Sequence, residues 1–232
     1  MTEFVVHTWT AWAPGIEHRD DRLLETGSLS LPECVPKLLH RRLSPLAKAV
    51  LNVAHCCSHQ ESMPVVFSSA HGEICKSLTM LKTIQAGEAL SPTAFSLSVH
   101  NAIAGLYSIA FNNNKEITVI ASGQEGIAPA FVEAIGMLAE GENEVMLILY
   151  DEPIADFYPT TPFKLNSLFP CVLGLKITLN SEGLRFKLSR THKSSDDGEH
   201  PLQLIVFINF LLSQQKTLIL GNQGHSWIWQ KQ

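Results

Sequence analysis

Charged residues are scarce in this chain of 232 residues, since Asp, Glu, Lys and Arg together make up 17% of it, against about 25% in an average globular domain. Hydrophobic residues reach 45%. A chain with so little charge has either an unusually compact core or a large surface that a partner covers. We favour the second interpretation, and the length is sufficient for one large domain with a substantial core.

Basic clusters are also missing, because no run of Lys and Arg is longer than the pair Arg41-Arg42, and the formal net charge is −5. Nucleic acid binding needs a concentrated basic surface, so this class of function is excluded. Residues 61–160 hold twelve acidic and three basic residues. We therefore expect little electrostatic steering of an acidic partner towards this part of the chain.

Signals for secretion, membrane insertion and disulfide bonding are absent as well. The amino-terminal segment MTEFVVHTWTAW lacks a basic region followed by a long apolar stretch. The apolar run LIVFINFLL at 204–212 is too short to cross a bilayer. The five cysteines are an odd number, and their spacing fits no disulfide framework. We expect a cytoplasmic protein with reduced thiols and without stable membrane insertion.

Alternating helix and strand patterns are present between residues 44 and 151. Ser44 and Pro45 begin the first helix as capping hydroxyl and first helical residue. One face of that helix is apolar and consists of Leu46, Val50, Val53, Ala54 and Cys57. Further helices are predicted at 73–86, 101–111 and 129–139, and strands at 64–69, 95–99, 117–121 and 144–150. Strands that are apolar on both faces and alternate with helices indicate a largely parallel sheet with helices on both faces.

The pattern changes after residue 151. A loop rich in proline and aromatic residues is predicted at 151–163, followed by strands at 168–179 and 184–188 that a turn at 180–183 joins. A polar, mobile segment at 191–199, a helix at 201–213 and a hairpin that turns at 221–224 complete the chain. We expect one domain over residues 1–232, in which residues 181–232 form a β-rich carboxy-terminal extension.

Two histidines one helical turn apart, His55 and His59, are the first candidate site, because they could hold a metal ion. They also continue the polar face that Lys48 and Asn52 begin, and Cys57 lies on the core face. A zinc site needs two further ligands from elsewhere. The interpretation as surface residues is therefore favoured, and neither a metal nor another cofactor is predicted.

A second candidate is the segment SAHGE at 69–73, where His71 and Glu73 could act as base and acid. A carboxylate in the first turn of a helix is also favoured by the helix dipole, and glycine permits the tight turn before it. Cys75 has helical spacing to Leu78 and Leu81, which suggests a core thiol. An enzyme for acyl transfer or hydrolysis that uses His71, Glu73 and Cys75 remains the alternative hypothesis.

The third candidate, GNQGHSWIW near the end of the chain, contains glycines that could surround an anion. No helix begins after it, so a hairpin turn with His225 at the surface or at an interface is the better interpretation. The motifs GxSxG, GxxxxGK[ST] and GxGxxG are all absent. No complete set of nucleophile, base and orienting group is visible.

The segment from Ser98 to Gly105 resembles the segment S-x-S-x-A-C-A-[TSG] of β-ketoacyl synthases, which carries their catalytic cysteine at the start of a buried helix. Ser98, Ala102, Ala104 and Gly105 fit this pattern, and Ile103 stands where the cysteine is expected. The runs SSAHGE and SPTAFSLSVHNAIAGL are especially similar to a short branch of the family from bacterial aryl polyene and related fatty-acid-like pathways. The resemblance covers roughly residues 30–180 and implies the amino-terminal half of the thiolase-like fold.

A second segment agrees with this resemblance. In the family the next strand is commonly followed by G-G-x-E and a helix, and this chain has SGQEG at 122–126. Gly123 and Glu125 match, while Ser122 replaces the first glycine, and a helix is predicted from Pro129. The spacing between the two segments also agrees with the family.

Two departures from the family concern its chemistry. Isoleucine has no thiol, so no acyl-enzyme can form at Ile103. The family also uses two histidines, in H-G-T-G-T and in an N-x(n)-G-H segment followed by small residues. The first motif is absent. The run NQGH at 222–225 is superficially similar to the second, but Ser-Trp-Ile-Trp follows it where small, helix-forming residues are expected. The chain has roughly half to three-fifths of the family's usual length. The resemblance therefore implies a relative without condensing activity of its own.

Such a relative can still pair, because ketosynthases are dimers whose sheets join across the interface, and some pathways pair an active subunit with an inactive chain length factor. The resemblance thus implies a heterodimer with an active ketosynthase, in which Ser98, His100, Asn101 and Ile103 shape a pseudo-active site. The loop 151–163 would lie near the interface or the tunnel mouth. Acyl carrier proteins are acidic, so the carrier is expected to dock on the active partner and to reach this chain indirectly. A scaffold or regulatory module unrelated to chain elongation is a third possibility.

Overall fold

A computed structural model describes residues 2–25, 29–58, 61–154 and 167–232. Its strands are β1 (Thr2–Trp12), β2 (Val65–Ser68), β3 (Ile117–Ile120), β4 (Val145–Asp151), β5 (Cys171–Thr178), β6 (Leu184–Thr191), β7 (Thr217–Asn222) and β8 (His225–Lys231). Its α-helices are α1 (Pro45–Ser58), α2 (Ile74–Gln85), α3 (Pro92–Ser96), α4 (Ala102–Phe111), α5 (Ala128–Ala139) and α6 (His200–Leu212), and a short 3₁₀ helix spans Lys37–Leu39.

The strands form one sheet in the order β3-β2-β4-β5-β1-β6-β8-β7. β2 pairs in parallel with β3 and with β4, whereas the other neighbouring pairs are antiparallel. The mixed α/β sheet is confirmed, but the prediction that it is largely parallel is wrong. A parallel pair needs a long crossover connection, and the link from β7 to β8 is too short for one.

The amino-terminal segment forms β1, a strand that the sequence patterns did not reveal. β1 lies between β5 and β6 and is antiparallel to both. The predicted strands on either side of the turn at 180–183 therefore exist but do not pair with each other. Their link passes close to β1 at Gly183, where φ is +147° and a Cβ atom would lie 2.4 Å from the Val6 carbonyl oxygen. Only glycine fits this crossing without strain.

Helices cover both faces of the sheet, as predicted. α5 and α6 pack on one face, where Phe131, Phe207 and Trp229 are buried together. α1 and α4 pack on the opposite face around Phe67 and Tyr107. The predicted apolar face of α1 is buried, and the Ala47 N–H donates to the Ser44 hydroxyl at 2.9 Å, which confirms the predicted cap.

The predicted strand at 95–99 is wrong. Residues 92–96 form the short helix α3, and a turn then leads directly into α4. The side chain of Ser91 caps α3 by accepting from the Ala94 N–H, and Pro92 is its first residue. This is the same Ser-Pro signal that begins α1. The segment is also largely exposed, and none of the strands in the described ranges pairs with it.

The segment after β6 extends the same sheet. α6 and the hairpin of β7 and β8 match the predicted helix and hairpin, and β8 pairs with β6. Gln223 and Gly224 form the two-residue turn. None of the helices in the described ranges is long and apolar enough to cross a membrane.

Candidate functional site

The carboxyl ends of β2, β3 and β4 meet at one edge of the sheet, because these strands are parallel. Polar residues gather there: Ser68 ends β2 and Ser69 follows it, Ser122 lies two residues after β3, and Asp151 ends β4. All four are buried. Ligands of open α/β sheets bind outside this edge, so we take it as the candidate functional site.

Asp151 is the centre of this cluster, although it is only 1% exposed. It accepts hydrogen bonds from the Ser69 hydroxyl at 2.8 Å, from His200 Nδ1 at 2.5 Å, and from the backbone N–H groups of Ala70 and His71 at 3.1 and 3.2 Å. Burial by itself raises the pKa of Asp151, but the charge and hydrogen bond of His200 outweigh it and hold that pKa below its ordinary value. The carboxylate is therefore ionised at neutral pH.

Ser69, Asp151 and His200 have the residue types of a hydrolase triad but a different connectivity. The Ser69 hydroxyl donates to Asp151 and accepts from the Gly72 N–H at 2.7 Å. Within the described ranges no hydrogen bond joins Ser69 to His200, and His200 Nε2 is buried without a hydrogen-bond partner. A triad needs the histidine between the other two residues. This cluster therefore holds the loop after β2 and the start of α6 against β4, and it does not activate a serine.

Of the four residues predicted for a pseudo-active site, His100 is the one that reaches this edge. His100 Nε2 donates to the Ser69 carbonyl at 2.9 Å. Ser98 bonds within its own turn to the Phe95 carbonyl, and Asn101 is exposed just before α4. Ile103 is fully buried in the core between α4 and the sheet. Their role as a pseudo-active site stays a prediction.

The sequence pattern at 95–111 predicts a turn from a strand into a buried helix before Ile103, but such a turn occurs instead between β3 and α5. α4 follows α3, whereas residues 121–127 join β3 directly to α5. Gly126 has φ +62°, and a Cβ atom there would overlap the Gln203 side chain. This turn holds Ser122, Gly123 and Gln124 and no thiol. The Ser122 hydroxyl is buried and shares a 3.2 Å hydrogen bond with Ser68.

Glu125, which matches the family's G-G-x-E segment, anchors the carboxy-terminal hairpin to this turn. It accepts from Arg190 at 2.6 Å, from the Trp227 indole at 3.2 Å and from His225 at 3.4 Å. The Arg190 guanidinium also lies over the Trp227 ring. The only sequence signal for this contact was the match of Glu125 itself, because its partners come from β6 and β8.

The groups of the alternative enzyme hypothesis are engaged in structural contacts. Glu73 is 2% exposed, accepts from the Ser44 hydroxyl at 2.6 Å and pairs with Lys76 at 2.5 Å. Burial and the nearby Glu152 carboxylate raise the pKa of Cys75 to about 11. A catalytic thiol needs the opposite shift, towards or below neutrality. Cys75 is therefore a protonated thiol at neutral pH.

The metal hypothesis rested on His55 and His59, and His59 lies outside the described residues. His55 Nδ1 lies 3.9 Å from the Cys34 sulfur, and its ring stacks on Phe111. No group of three or more potential metal ligands is found in the described parts of the chain.

Comparison with known proteins identifies the family to which this fold belongs. The family described as "Beta-ketoacyl synthase, N-terminal domain" matches residues 9–230. A solved chain of the ketosynthase ApeO in complex with its chain length factor ApeC, from Xenorhabdus doucetiae, is similar at a TM-score of 0.77 and 20% identity over 99% of this chain and 100% of that chain. No curated protein matches the sequence.

Two further solved structures share the fold. The ishigamide ketosynthase/chain length factor is similar at a TM-score of 0.57 and 10% identity, over 81% of this chain and 67% of that chain. A β-ketoacyl synthase from Burkholderia phymatum STM815 is similar at a TM-score of 0.52 and 12% identity, over 70% of this chain and 52% of that chain. The ketosynthase-like fold that the sequence segments implied is confirmed.

Proposed function

Because this chain belongs to the β-ketoacyl synthase N-terminal domain family, we propose that it is a non-catalytic subunit of the chain-length-factor type. It pairs with an active ketosynthase in polyene or fatty-acid-like chain elongation. The cytoplasmic location and the single domain over residues 1–232 belong to the same proposal, as does the pseudo-active site of Ser98, His100, Asn101 and Ile103.

The observation that carries this proposal is the lack of an activated thiol at the candidate site. The β3–α5 turn contains no cysteine, and the first turn of α4 contains Ile103. Cys171 lies opposite Asp151 in the sheet but is 1% exposed, and burial raises its pKa far above the ordinary range. An acyl-enzyme needs a nucleophile that is both accessible and deprotonated. The described residues at this edge include no thiol that is accessible, and none that is deprotonated at neutral pH.

The outer edge of β3 supports the pairing. β3 is the end strand of the sheet, and its sequence ITVI contains neither a charged residue nor a proline. Edge strands of stable monomers are usually protected by such residues or by a covering segment. On the flanking helices, Ile109 of α4 is 61% exposed and Val132 of α5 is 46% exposed. The cores of protein interfaces are depleted in charge in the same way.

Two glycines on the same helices give further support. Gly105 lies one turn before Ile109, and Gly136 lies one turn after Val132. Both glycines are exposed, and a Cβ atom at either would meet nothing within 4 Å. A glycine within a helix costs about 0.5–1 kcal/mol relative to alanine, and no contact with the described residues of the chain explains this cost. A closely approaching partner backbone would explain both positions.

The similar solved structures support the proposal that this chain is of the chain-length-factor type. The solved structures with TM-scores of 0.77 and 0.57 are described as a ketosynthase with its chain length factor. Those descriptions concern the matched proteins, and they identify an active ketosynthase as the partner to test for this chain.

The experiment is co-expression of this chain with a ketosynthase encoded beside it, followed by measurement of native mass. We expect a one-to-one complex for the natural sequence and for Val206→Lys, and loss of the complex for Ile109→Lys. Val206 is the matched control, because it is 42% exposed on α6 and lies on the other face of the sheet. A lone monomer that ignores the ketosynthase would overturn the proposal.

A further inference from the structure

The two ends of the sheet differ in how their outer edges are covered. β3 and β7 are the end strands, and each contains neither a charged residue nor a proline. Within the described ranges, no other segment forms a hydrogen bond with the outer backbone of β3. The outer edge of β7 is instead covered by the segment 193–198, which we call the strap.

Three residues of β7 direct their backbone groups away from β8. Thr217, Ile219 and Gly221 alternate with the residues that bond to β8, because neighbouring residues of an edge strand direct their N–H and C=O groups to opposite sides. Four of their six outward groups are engaged in hydrogen bonds within the chain. One of these bonds is local, since the Gln215 side chain donates to the Thr217 carbonyl at 2.6 Å.

The strap provides the other three bonds. Asp197 bonds twice to Gly221, because its N–H donates to the Gly221 carbonyl at 3.2 Å and its carboxylate accepts from the Gly221 N–H at 3.0 Å. Lys193 Nζ donates to the Ile219 carbonyl at 3.1 Å. The strap thus occupies the backbone groups that a further strand would need for pairing with β7.

Contacts at both ends of the strap hold it in this position. Lys193 and Asp197 form an ion pair at 2.5 Å, and their side chains are only 23% and 22% exposed. At the other end Gly198 is buried, and its carbonyl accepts from the side chain of Gln203 at 2.7 Å. Gln203 is itself fully buried on α6. The ion pair and α6 together fix the strap against the edge of the sheet.

We propose that the strap closes this end of the sheet against a second copy of this chain, so that assembly takes place only through β3. Without the strap, β7 is an apolar edge strand with free backbone groups, which is a template for pairing with another strand. A second copy is the fitting occupant, because β7 carries no charge that would repel its own copy. Two antiparallel β7 strands would also form a closed, twofold contact. The inference goes beyond the proposed function and holds whichever protein pairs with β3.

The test removes the two side chains that hold the strap and measures native mass at several concentrations, in the complex of this chain with its ketosynthase. For Lys193→Ala/Asp197→Ala, which leaves the net charge unchanged, we expect the mass to double with rising concentration, from a one-to-one to a two-to-two complex. The control is Glu3→Ala/Lys187→Ala. It removes an ion pair of 3.2 Å between β1 and β6, in the interior of the same sheet, and should keep the natural mass.

A further variant distinguishes strand pairing from aggregation of unfolded chains. Ile219→Pro, added to Lys193→Ala/Asp197→Ala, removes an N–H group that points away from β8. The bonds to β8 are therefore kept, while pairing with another strand is blocked. We expect this triple variant to return to the natural mass, whereas aggregation of unfolded chains would not be reversed by a proline in β7.

A natural mass for Lys193→Ala/Asp197→Ala, or an equal doubling in the control, would overturn the proposal. The same holds if Ile219→Pro alone lowers the mass of the natural complex, because β7 would then already be paired. If the double variant does not unfold cooperatively, Lys193→Ala alone is judged by the same outcomes. If no complex with the ketosynthase forms, the proposed function fails. The same variants are then compared in the lone chain, where the mass should double from monomer to dimer, so the two failures are distinguishable.

Discussion

His200 donates from Nδ1 to Asp151 Oδ2 over 2.5 Å, and this bond joins the first residue of α6 to the last residue of β4. Both side chains are buried. The carboxy-terminal segment is thereby held to the parallel part of the sheet by a buried hydrogen bond to a carboxylate that water does not reach.

Removal of one member of this pair should destabilise the chain strongly. We expect His200→Ala to lower the free energy of unfolding by about 3–5 kcal/mol, because it leaves the Asp151 carboxylate buried without its hydrogen-bond donor on α6. The measurement is denaturant unfolding at neutral pH. The control is His225→Ala, which removes an exposed histidine from Glu125 and should cost less than about 1 kcal/mol. Equal losses of unfolding free energy in the two variants would contradict the central role of the buried pair.

The pair also predicts the dependence of stability on pH. The pKa of Asp151 in the folded chain is below its ordinary value of 3.8, so its contribution is fully present above that value and is lost as the pH falls through the folded pKa. The free energy of unfolding should therefore fall in acid, below about pH 4. In Asp151→Asn this fall should be smaller. A variant with the acid dependence of the natural chain would show that other carboxyl groups, such as Asp20 with its pKa of about 2, account for it.

Thiol reactivity tests the alternative enzyme hypothesis. At a pKa of about 11, only about one Cys75 side chain in ten thousand is a thiolate at neutral pH. Iodoacetamide should therefore modify the exposed Cys34 well before Cys75 in the native chain, as read by mass spectrometry. Glu152→Gln removes a neighbouring carboxylate and should speed the reaction of Cys75. Fast alkylation of Cys75 at pH 7 would instead favour the alternative.

A cysteine introduced at either candidate position should not give the chain condensing activity. Ile103→Cys places a thiol in the core, and Gln124→Cys places one in the β3–α5 turn. We expect neither variant to decarboxylate a malonyl thioester or to condense it when assayed alone, because the histidines that the family uses for this step have no counterpart in the sequence. Activity of either variant without a partner would argue against a non-catalytic subunit.

Substitutions at the exposed Gly105 distinguish effects on folding from effects on pairing with the ketosynthase. Gly105→Ala should stabilise the lone chain by up to about 1 kcal/mol, because alanine is the better helix residue and no neighbouring atom obstructs its methyl group. Gly105→Leu should leave the lone chain folded but weaken its complex with the ketosynthase. Thermal unfolding and native mass are the two measurements. A complex that tolerates leucine would place the interface elsewhere.

Local signals in the sequence were sufficient for most helices. Ser44 and Pro45 predicted the start of α1, and the continuous apolar character of 101–111 predicted a buried α4. The same Ser-Pro signal at Ser91 and Pro92 predicts α3, but the alternation of Ser and apolar residues in 96–99 was interpreted as a strand. Alternation alone does not distinguish a half-buried strand from an exposed turn between helices.

Long-range pairings could not be predicted in the same way. β1 is central in the sheet, yet its neighbours are more than 150 residues away along the chain, and no local pattern reports them. Asp151 and His200 are separated by 49 positions. The sequence patterns placed Asp151 at the start of the loop 151–163 and gave His200, just before the predicted helix at 201–213, no role.

The central position of β1 has a consequence for synthesis of the chain. Residues 2–12 are synthesised well before their partners in the sheet, which are residues 171–191. β1 therefore stays unpaired, with its apolar residues exposed, until β5 and β6 have been made, and pairings of such large separation form late. Deletion of residues 2–12 should leave β5 and β6 without a common neighbour and cause aggregation. A tag on the opposite terminus, after β8, should be tolerated.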